Sequence, residues 1–198
     1  MHWNSFFDDL EGQLEQELFE VERRRSQVEE RFRMSTITLR DRIAAVGAVE
    51  LPRIDRPEFV IQQPGFGNIR LRLMTLGRDW FSADRLGTEI PTQLIMSLSS
   101  IGYVVGAAPF PIPVLDLNDP QLVSRISYGF FLRDLSRRRV PVKAFSAYSG
   151  SSTPFVGTID SVSRDHLELV LHDFLGRRAA QDYRRILIPL LKLDFLEL

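Results

Sequence analysis

Cysteine is absent from this sequence. That excludes disulfides, thiolate nucleophiles and cysteine-based zinc or iron–sulfur sites, and it suits a reducing compartment. Lysine is scarce too: two lysines stand against 23 arginines, a bias that fits a GC-rich bacterial genome. No apolar run approaches the ~18 residues of a membrane span. The first thirty residues carry carboxylates throughout and lack the apolar segment of a secretory signal. These absences predict a cytoplasmic protein with no cofactor, no metal and no membrane contact. The net charge of −1 argues against wholesale attachment to nucleic acid or anionic lipid through bulk charge.

What is present is 198 residues, 44% of them apolar, enough for one medium or two small packed domains. Charge is uneven along the chain. Residues 1–33 hold nine acidic and five basic side chains, whereas 121–198 hold twelve basic and eight acidic. A basic second half can meet an acidic partner or the acidic N-terminal segment of another copy.

Asn4 or Ser5 can cap a helix, and Asp8, Asp9 and Glu11 then fall where the helix dipole favours negative charge. Phe7, Leu14, Val21 and Val28 recur every seven residues, with Leu10, Leu18 and Phe32 beside them. This narrow stripe is broken by Glu17 and Arg24. A charged helix running from Asn4 to Arg33 is marginal alone, so the stripe is expected to lie on the rest of the chain or in a coiled coil with another chain.

Thr38-Leu39-Arg40-Asp41 has capping-box spacing and predicts a short helix through Val46, closed by Gly47 in the left-handed conformation. A loop punctuated by Pro and Gly follows from Pro52 to Gly67. In Asn68–Leu76 the apolar Ile69, Leu71 and Leu73 alternate with arginines, the pattern of a half-buried strand. Trp80-Phe81 and 94–105 continue the strand-like composition. Four prolines in 106–120 mark the best domain boundary. Asp119-Pro120 then reads as a cap and first helical residue. The expected helix reaches about Arg138, with Leu122, Ile126, Phe130 and Phe131 on one face. Strands are expected at 142–148, 155–162 and around Leu167, Leu169 and Leu171. Two more are expected at 186–188 and 191–195, with a bend at Pro189.

The chain also resembles itself. Leu39-Arg40-Asp41 matches Leu132-Arg133-Asp134. Leu76-Gly77-Arg78-Asp79-Trp80-Phe81 matches Val162-Ser163-Arg164-Asp165-His166-Leu167, and Leu94-Ile95 matches Leu187-Ile188. Three matches in one order predict an internal duplication.

Gly157-Thr158-Ile159-Asp160-Ser161-Val162, then Asp165–Leu169, then Ile188-Pro189-Leu190-Leu191-Lys192-Leu193, resemble the Sm-like small barrel. That family places a helix before five strongly bent strands, and its strand-two glycine permits the bend. The likeness covers 121–198 well and 38–105 loosely. A tandem arrangement after an acidic helix is also similar to proteins found in actinobacteria. The implied fold class is α+β, mainly β. A long helix (1–34) precedes a first Sm-like barrel (35–105), a Pro-rich apolar linker (106–120) and a second barrel (121–198). RNA-binding Sm-like proteins carry an Asp-x-apolar-x-Asn pattern after strand two and an Arg-Gly or Lys-His element before the last strand. Here Asp165 is followed by Leu167 and Glu168 without the Asn, and the last turn holds Pro189. The fold is implied without its RNA pocket.

Catalytic constellations are missing from the pattern. His166 and His172 share a strand face but sit too far apart for one metal. Each also neighbours an aspartate, Asp165 or Asp173, that should point away from it. Pro64-Gly65-Phe66-Gly67 lacks the third glycine and following helix of a nucleotide loop. Tyr148–Ser152 reads as a hairpin turn. The sequence therefore predicts a non-enzymatic assembly module with a protein partner or a homo-oligomeric state. Phe7, Leu14, Val21, Val28 and Trp80 are its candidate interface residues. The alternative is RNA binding through Arg137, Arg138, Arg139, Arg164, Arg177, Arg178, Arg184 and Arg185, whose guanidinium groups could contact phosphates. A third reading is a small-ligand or enzymatic site between the two barrels.

Overall fold

The computed structural model describes residues 3–48, 51–90, 92–106, 122–146, 153–172 and 185–198, the backbone alone for 3–15. The chain divides into two compact units, Met1–Thr38 and Leu39–Leu198. The first is helix α1 (Trp3–Thr36). Exposed ion pairs between neighbouring turns, Arg24–Glu20 and Arg25–Glu29, dress its surface. Among the described residues no helix is long and apolar enough to cross a membrane.

The second unit opens with α2 (Leu39–Val46). The left-handed residue after it is Ala48 (φ 42°) rather than Gly47, whose N–H closes the last turn on the Ile43 carbonyl. Among the described residues ten antiparallel strands follow. The first five are β1 (Glu58–Gln63), β2 (Gly67–Leu76), β3 (Trp80–Arg85), β4 (Thr92–Ser97) and β5 (Tyr103–Val105). Helix α3 (Tyr128–Arg137) precedes β6 (Pro141–Phe145), β7 (Phe155–Val162), β8 (His166–Leu171), β9 (Arg185–Pro189) and β10 (Phe195–Glu197).

Strand β1 lies inside the stretch expected to be a loop. Its flanking Pro57 and Pro64 suggested irregular chain, yet Phe59, Ile61 and Gln63 alternate inward and are buried. The helix of the second half starts later than expected. Ser127 caps it by accepting from the Phe130 N–H, and a 3₁₀ turn (Leu122–Arg125) precedes it. Its buried face is Tyr128, Leu132 and Leu135, while Leu122 and Phe130 are exposed. The last strand begins at Phe195, because Leu190–Lys192 forms a 3₁₀ turn.

The strands hydrogen-bond into a single sheet in the order β5-β1-β2-β3-β4-β10-β6-β7-β8-β9. Two tandem small barrels, able to pair through their strand edges, were expected. Among the described residues the strands form one sheet, continuous through the β4–β10 pair, and its end strands β5 and β9 are each paired on one side only. Irregular register bends β2 between Leu73 and Thr75, and β7 between Ile159 and Ser161. Gly157 lets the β8 backbone approach β7 closely, since a side chain there would collide with the Val170 carbonyl of β8.

Two apolar cores lie along this sheet, and each borrows from the other half. Ile43, Phe59, Ile61, Leu71, Leu73 and Phe81 build the first, which also holds Phe145 and Phe195 from the far half. Leu132, Leu135, Ile159, Leu167, Leu169 and Ile188 build the second, which takes in Trp80 and Ile95.

Candidate functional site

The junction between the halves is a seam of three kinds of contact. Its backbone is the β4–β10 ladder, with Ile95 opposite Leu196 and Leu94 opposite Glu197. The Leu198 N–H extends it to the Gln93 carbonyl at 3.0 Å. On the first-core side Phe145 stacks on Phe195 with ring centroids 4.4 Å apart, and Phe66 meets both rings edge-on. On the other side the Trp80 ring stacks on Phe131 at 4.2 Å, and its Nε1–H donates to the Ile126 carbonyl at 2.9 Å. Trp80, a candidate interface residue, is thus buried between the halves of its own chain.

Polar groups complete the seam. The buried Gln63 amide donates to the Ser100 carbonyl at 2.8 Å and to Asp194 Oδ1 at 2.6 Å, and its oxygen accepts from the Gly102 N–H at 3.1 Å. The Ser100 hydroxyl donates to the Leu193 carbonyl at 2.8 Å. Near the end of the ladder the buried Glu197 carboxylate is held by Arg85, with Lys143 at 3.9 Å. A cleft of about 480 Å³ opens beside this carboxylate, walled by Phe66, Phe145 and Pro154. Gln63, Ser100, Asp194 and Glu197 were not found from the sequence, because cross-strand partners far apart in the chain leave no local pattern.

A second cleft, about 360 Å³, lies where the two halves meet around the start of α3. Arg78, Arg133 and Arg164 line it, together with Ser97, Ser99, Ser127 and Ser163. Asp79, in the β2–β3 turn, sends Oδ1 to the Tyr128 N–H at 2.6 Å, so a carboxylate already occupies the first turn of α3. Burial pushes the Tyr128 hydroxyl far above its ordinary pKa, and the Asp79 charge adds to that. That hydroxyl has no hydrogen-bond partner among the described residues. Arg133 Nε donates to the Val162 carbonyl at 3.3 Å. No ion pair to Arg78 or Arg164 occurs among the described residues. The signal for Arg78 was the matched Arg-Asp pair of the self-comparison, Arg78-Asp79 against Arg164-Asp165.

Among the described residues, the arginines picked from the sequence lie in two places, around Asp160 and at the second cleft. Arg137 ends α3, and Arg138 pairs with Asp134 at 2.8 Å. Arg139, left-handed at φ 52°, reaches Asp160 at 2.6 Å, and Arg185 bridges Asp160 and Glu168 at 2.8 Å each. Hydrogen bonds from Arg139 and then Arg185 hold the Asp160 carboxyl below its usual range, and Glu168 and Asp160 raise Arg185 in turn. Arg164 faces the second cleft, while Arg177, Arg178 and Arg184 lie outside the described residues. Phe7 and Leu14 lie on α1 where only the backbone is described. Val21 and Val28, further along the same helix, are exposed.

The histidines do not share a site. His166 Nδ1 contacts Asp165 Oδ1 at 2.7 Å, a hydrogen bond that holds the Asp165 carboxyl below its usual range. These neighbours were expected to point apart. They meet because Asp165 lies in the turn, not on the strand. His172 instead reaches the Thr158 hydroxyl at 2.9 Å. Among the described residues no group of His, Asp and Glu could hold a metal ion.

The class these observations define is a β-rich α+β chain, an N-terminal helix followed, among the described residues, by an antiparallel sheet of ten strands whose end strands do not pair with each other. No family model, curated protein or solved structure matches it.

Proposed function

We propose that residues 39–198 are a tandem pair of Sm-like units and that the protein is a non-enzymatic assembly module. One observation carries this: the strand order β5-β1-β2-β3-β4 recurs in the second half as β10-β6-β7-β8-β9. Details support it. Gly77 N–H donates to the Trp80 carbonyl, as Ser163 N–H does to that of His166. Leu98 N–H donates to the Asp79 carbonyl, as Leu190 N–H does to that of Asp165. Arg40 and Arg133, paired in the self-comparison, each send Nε from a helix to the end of a long strand, at Gly77 and Val162. The residue after each helix turn is left-handed, Ala48 and Arg139. Two of the buried polar residues, Gln63 and Glu197, bond across the halves, as strand edges that must be joined require.

Purification of the full chain from its native cell at low salt, with protein and nucleic acid both quantified, tests this. A stoichiometric protein complex that survives nuclease supports the assembly reading. Stoichiometric RNA, with the complex lost on nuclease treatment, would replace it.

That replacement is the second reading, RNA contact. The observation in its favour is the second cleft, where Arg78, Arg133 and Arg164 face one space. It requires affinity for labelled single-stranded RNA that falls with salt, the logarithmic slope being about −0.7 per phosphate neutralised. Arg78→Ala with Arg164→Ala should then flatten that slope.

A further inference from the structure

Gly65 and Gly67, the glycine pair that lacks a nucleotide-loop setting, are both left-handed, at φ 80° and 72°. They flank Phe66 in the β1–β2 turn, and that turn lets Phe66 line the cleft beside Glu197. We propose that this first cleft binds a small aromatic carboxylate. Such a site is additional to the assembly role above and does not rest on it.

The apolar part of the cleft sets the body of the ligand. Phe66 meets Phe145 edge-on, with centroids 5.8 Å apart and planes at 80°, and Pro154 adds a third apolar surface. A further ring packs well against such rings, edge-on or offset, so a flat apolar group suits them. The volume of about 480 Å³ falls within the range usual for small-ligand sites.

The charged part sets the sign. Glu197 is 5% exposed, so its carboxylate needs compensation, and Arg85 supplies it through Nη1 on Oε1. Half-exposed Lys143, cross-strand from Glu197, stands with Nζ 3.9 Å from Oε2. That is too long for a hydrogen bond, and among the described residues this ammonium donates to no other group. Arg85 likewise uses one guanidinium N–H on Glu197 and leaves the others without a partner among the described residues. Two cations against one carboxylate leave one positive charge at the cleft. The carboxylate already faces both cations, so an ammonium ligand finds no free counter-charge, whereas a monoanion finds one with unused donors beside it. Glu197 is then a positioning residue. It holds the Arg85 guanidinium in one orientation, so less freedom is lost when a ligand carboxylate binds.

Three probes of one shape test this on the isotopically labelled full chain: 2-naphthoate, the neutral 2-naphthamide and the cationic 2-naphthylmethylamine. Naphthoate should shift the amides of Phe66, Phe145 and Glu197 saturably, with a Kd of about 1 mM or below. The neutral amide should bind about tenfold more weakly and the amine not at all. Lys143→Glu turns the excess charge from positive to negative. It should abolish naphthoate binding and admit the amine, a reversal that a folding defect does not produce. Lys143→Gln, which removes the charge alone, should weaken naphthoate about fivefold and leave the amide's affinity unchanged. The proposal is overturned if naphthoate gives no saturable shift at these amides up to about 10 mM. It is equally overturned if the amide or the amine binds as tightly as naphthoate, or if both Lys143 variants bind all three probes as the unsubstituted chain does.

Discussion

The Asp79 carboxylate caps the helix of the other half, accepting from the Tyr128 N–H at 2.6 Å. A turn of the first half thus fixes where the second half's helix begins, and the Trp80 ring beside it packs into the second core. Replacing Asp79 with Ala removes the acceptor and the charge near the positive end of α3. The expected loss is about 1–2 kcal/mol, as for other helix caps. Urea unfolding of the two proteins at pH 7 measures it, and an unchanged midpoint would remove Asp79 from the account.

Trp80→Ala should be far more damaging. It opens a cavity in the second core and leaves the Ile126 carbonyl without its indole donor, although the Arg78 N–H still reaches that oxygen at 3.0 Å. Truncation of a buried aromatic costs about 3–5 kcal/mol. Loss of amide protection in β6–β9, on the side of the sheet remote in sequence, is the distinctive expected sign. Protection lost only in β2–β4 would contradict the shared core.

Two glycines should respond in opposite directions. Gly157→Ala drives a methyl into the Val170 carbonyl and should destabilise by about 1–3 kcal/mol. A Cβ at Gly129, in the first turn of α3, meets nothing within 4 Å. Gly129→Ala should stabilise by up to about 1 kcal/mol, since alanine loses less entropy in a helix. Thermal melts of the two variants check the pair of signs.

Acid should weaken the Asp160 cluster. Its carboxyl is held below the usual range by Arg139 and Arg185, so its stabilising effect is present above the ordinary aspartate pKa of about 3.9 and is lost as pH falls through the lowered value. Asp160→Asn should therefore lower the melting temperature at pH 7 and make little difference in strong acid. Equal losses at both ends of that range would show that the ion pairs are not responsible.

Local chemistry was legible in the sequence, and pairing was not. The alternation in 68–76 and 166–171 gave strands close to those observed, because period-two burial is a local property. Strand β1 was missed, since the prolines around it outweighed three inward residues that only become evident once β2 and β5 flank them. The start of α3 was misplaced because Asp119-Pro120 is a stronger cap signal than Ser127, which has Phe130 and not a carboxylate or amide three residues on to complete a capping box. The seam residues Gln63, Asp194 and Glu197 were silent for another reason. Their partners lie in the other half, or far along their own, and no spacing encodes them. Counting arginines could not show their partners: Arg139 and Arg185 both pair with Asp160, and Arg185 also with Glu168.

The most direct test of the account is a set of cross-strand backbone nuclear Overhauser effects in the isotopically labelled full chain. The account predicts contacts between Ile95 and Leu196 across the seam, and matched contacts for Ile61–Val104 and Ala144–Leu196 within the two halves. Finding the last two without Ile95–Leu196 would leave two units that are not joined, and finding β10 paired elsewhere would contradict the repeated strand order itself.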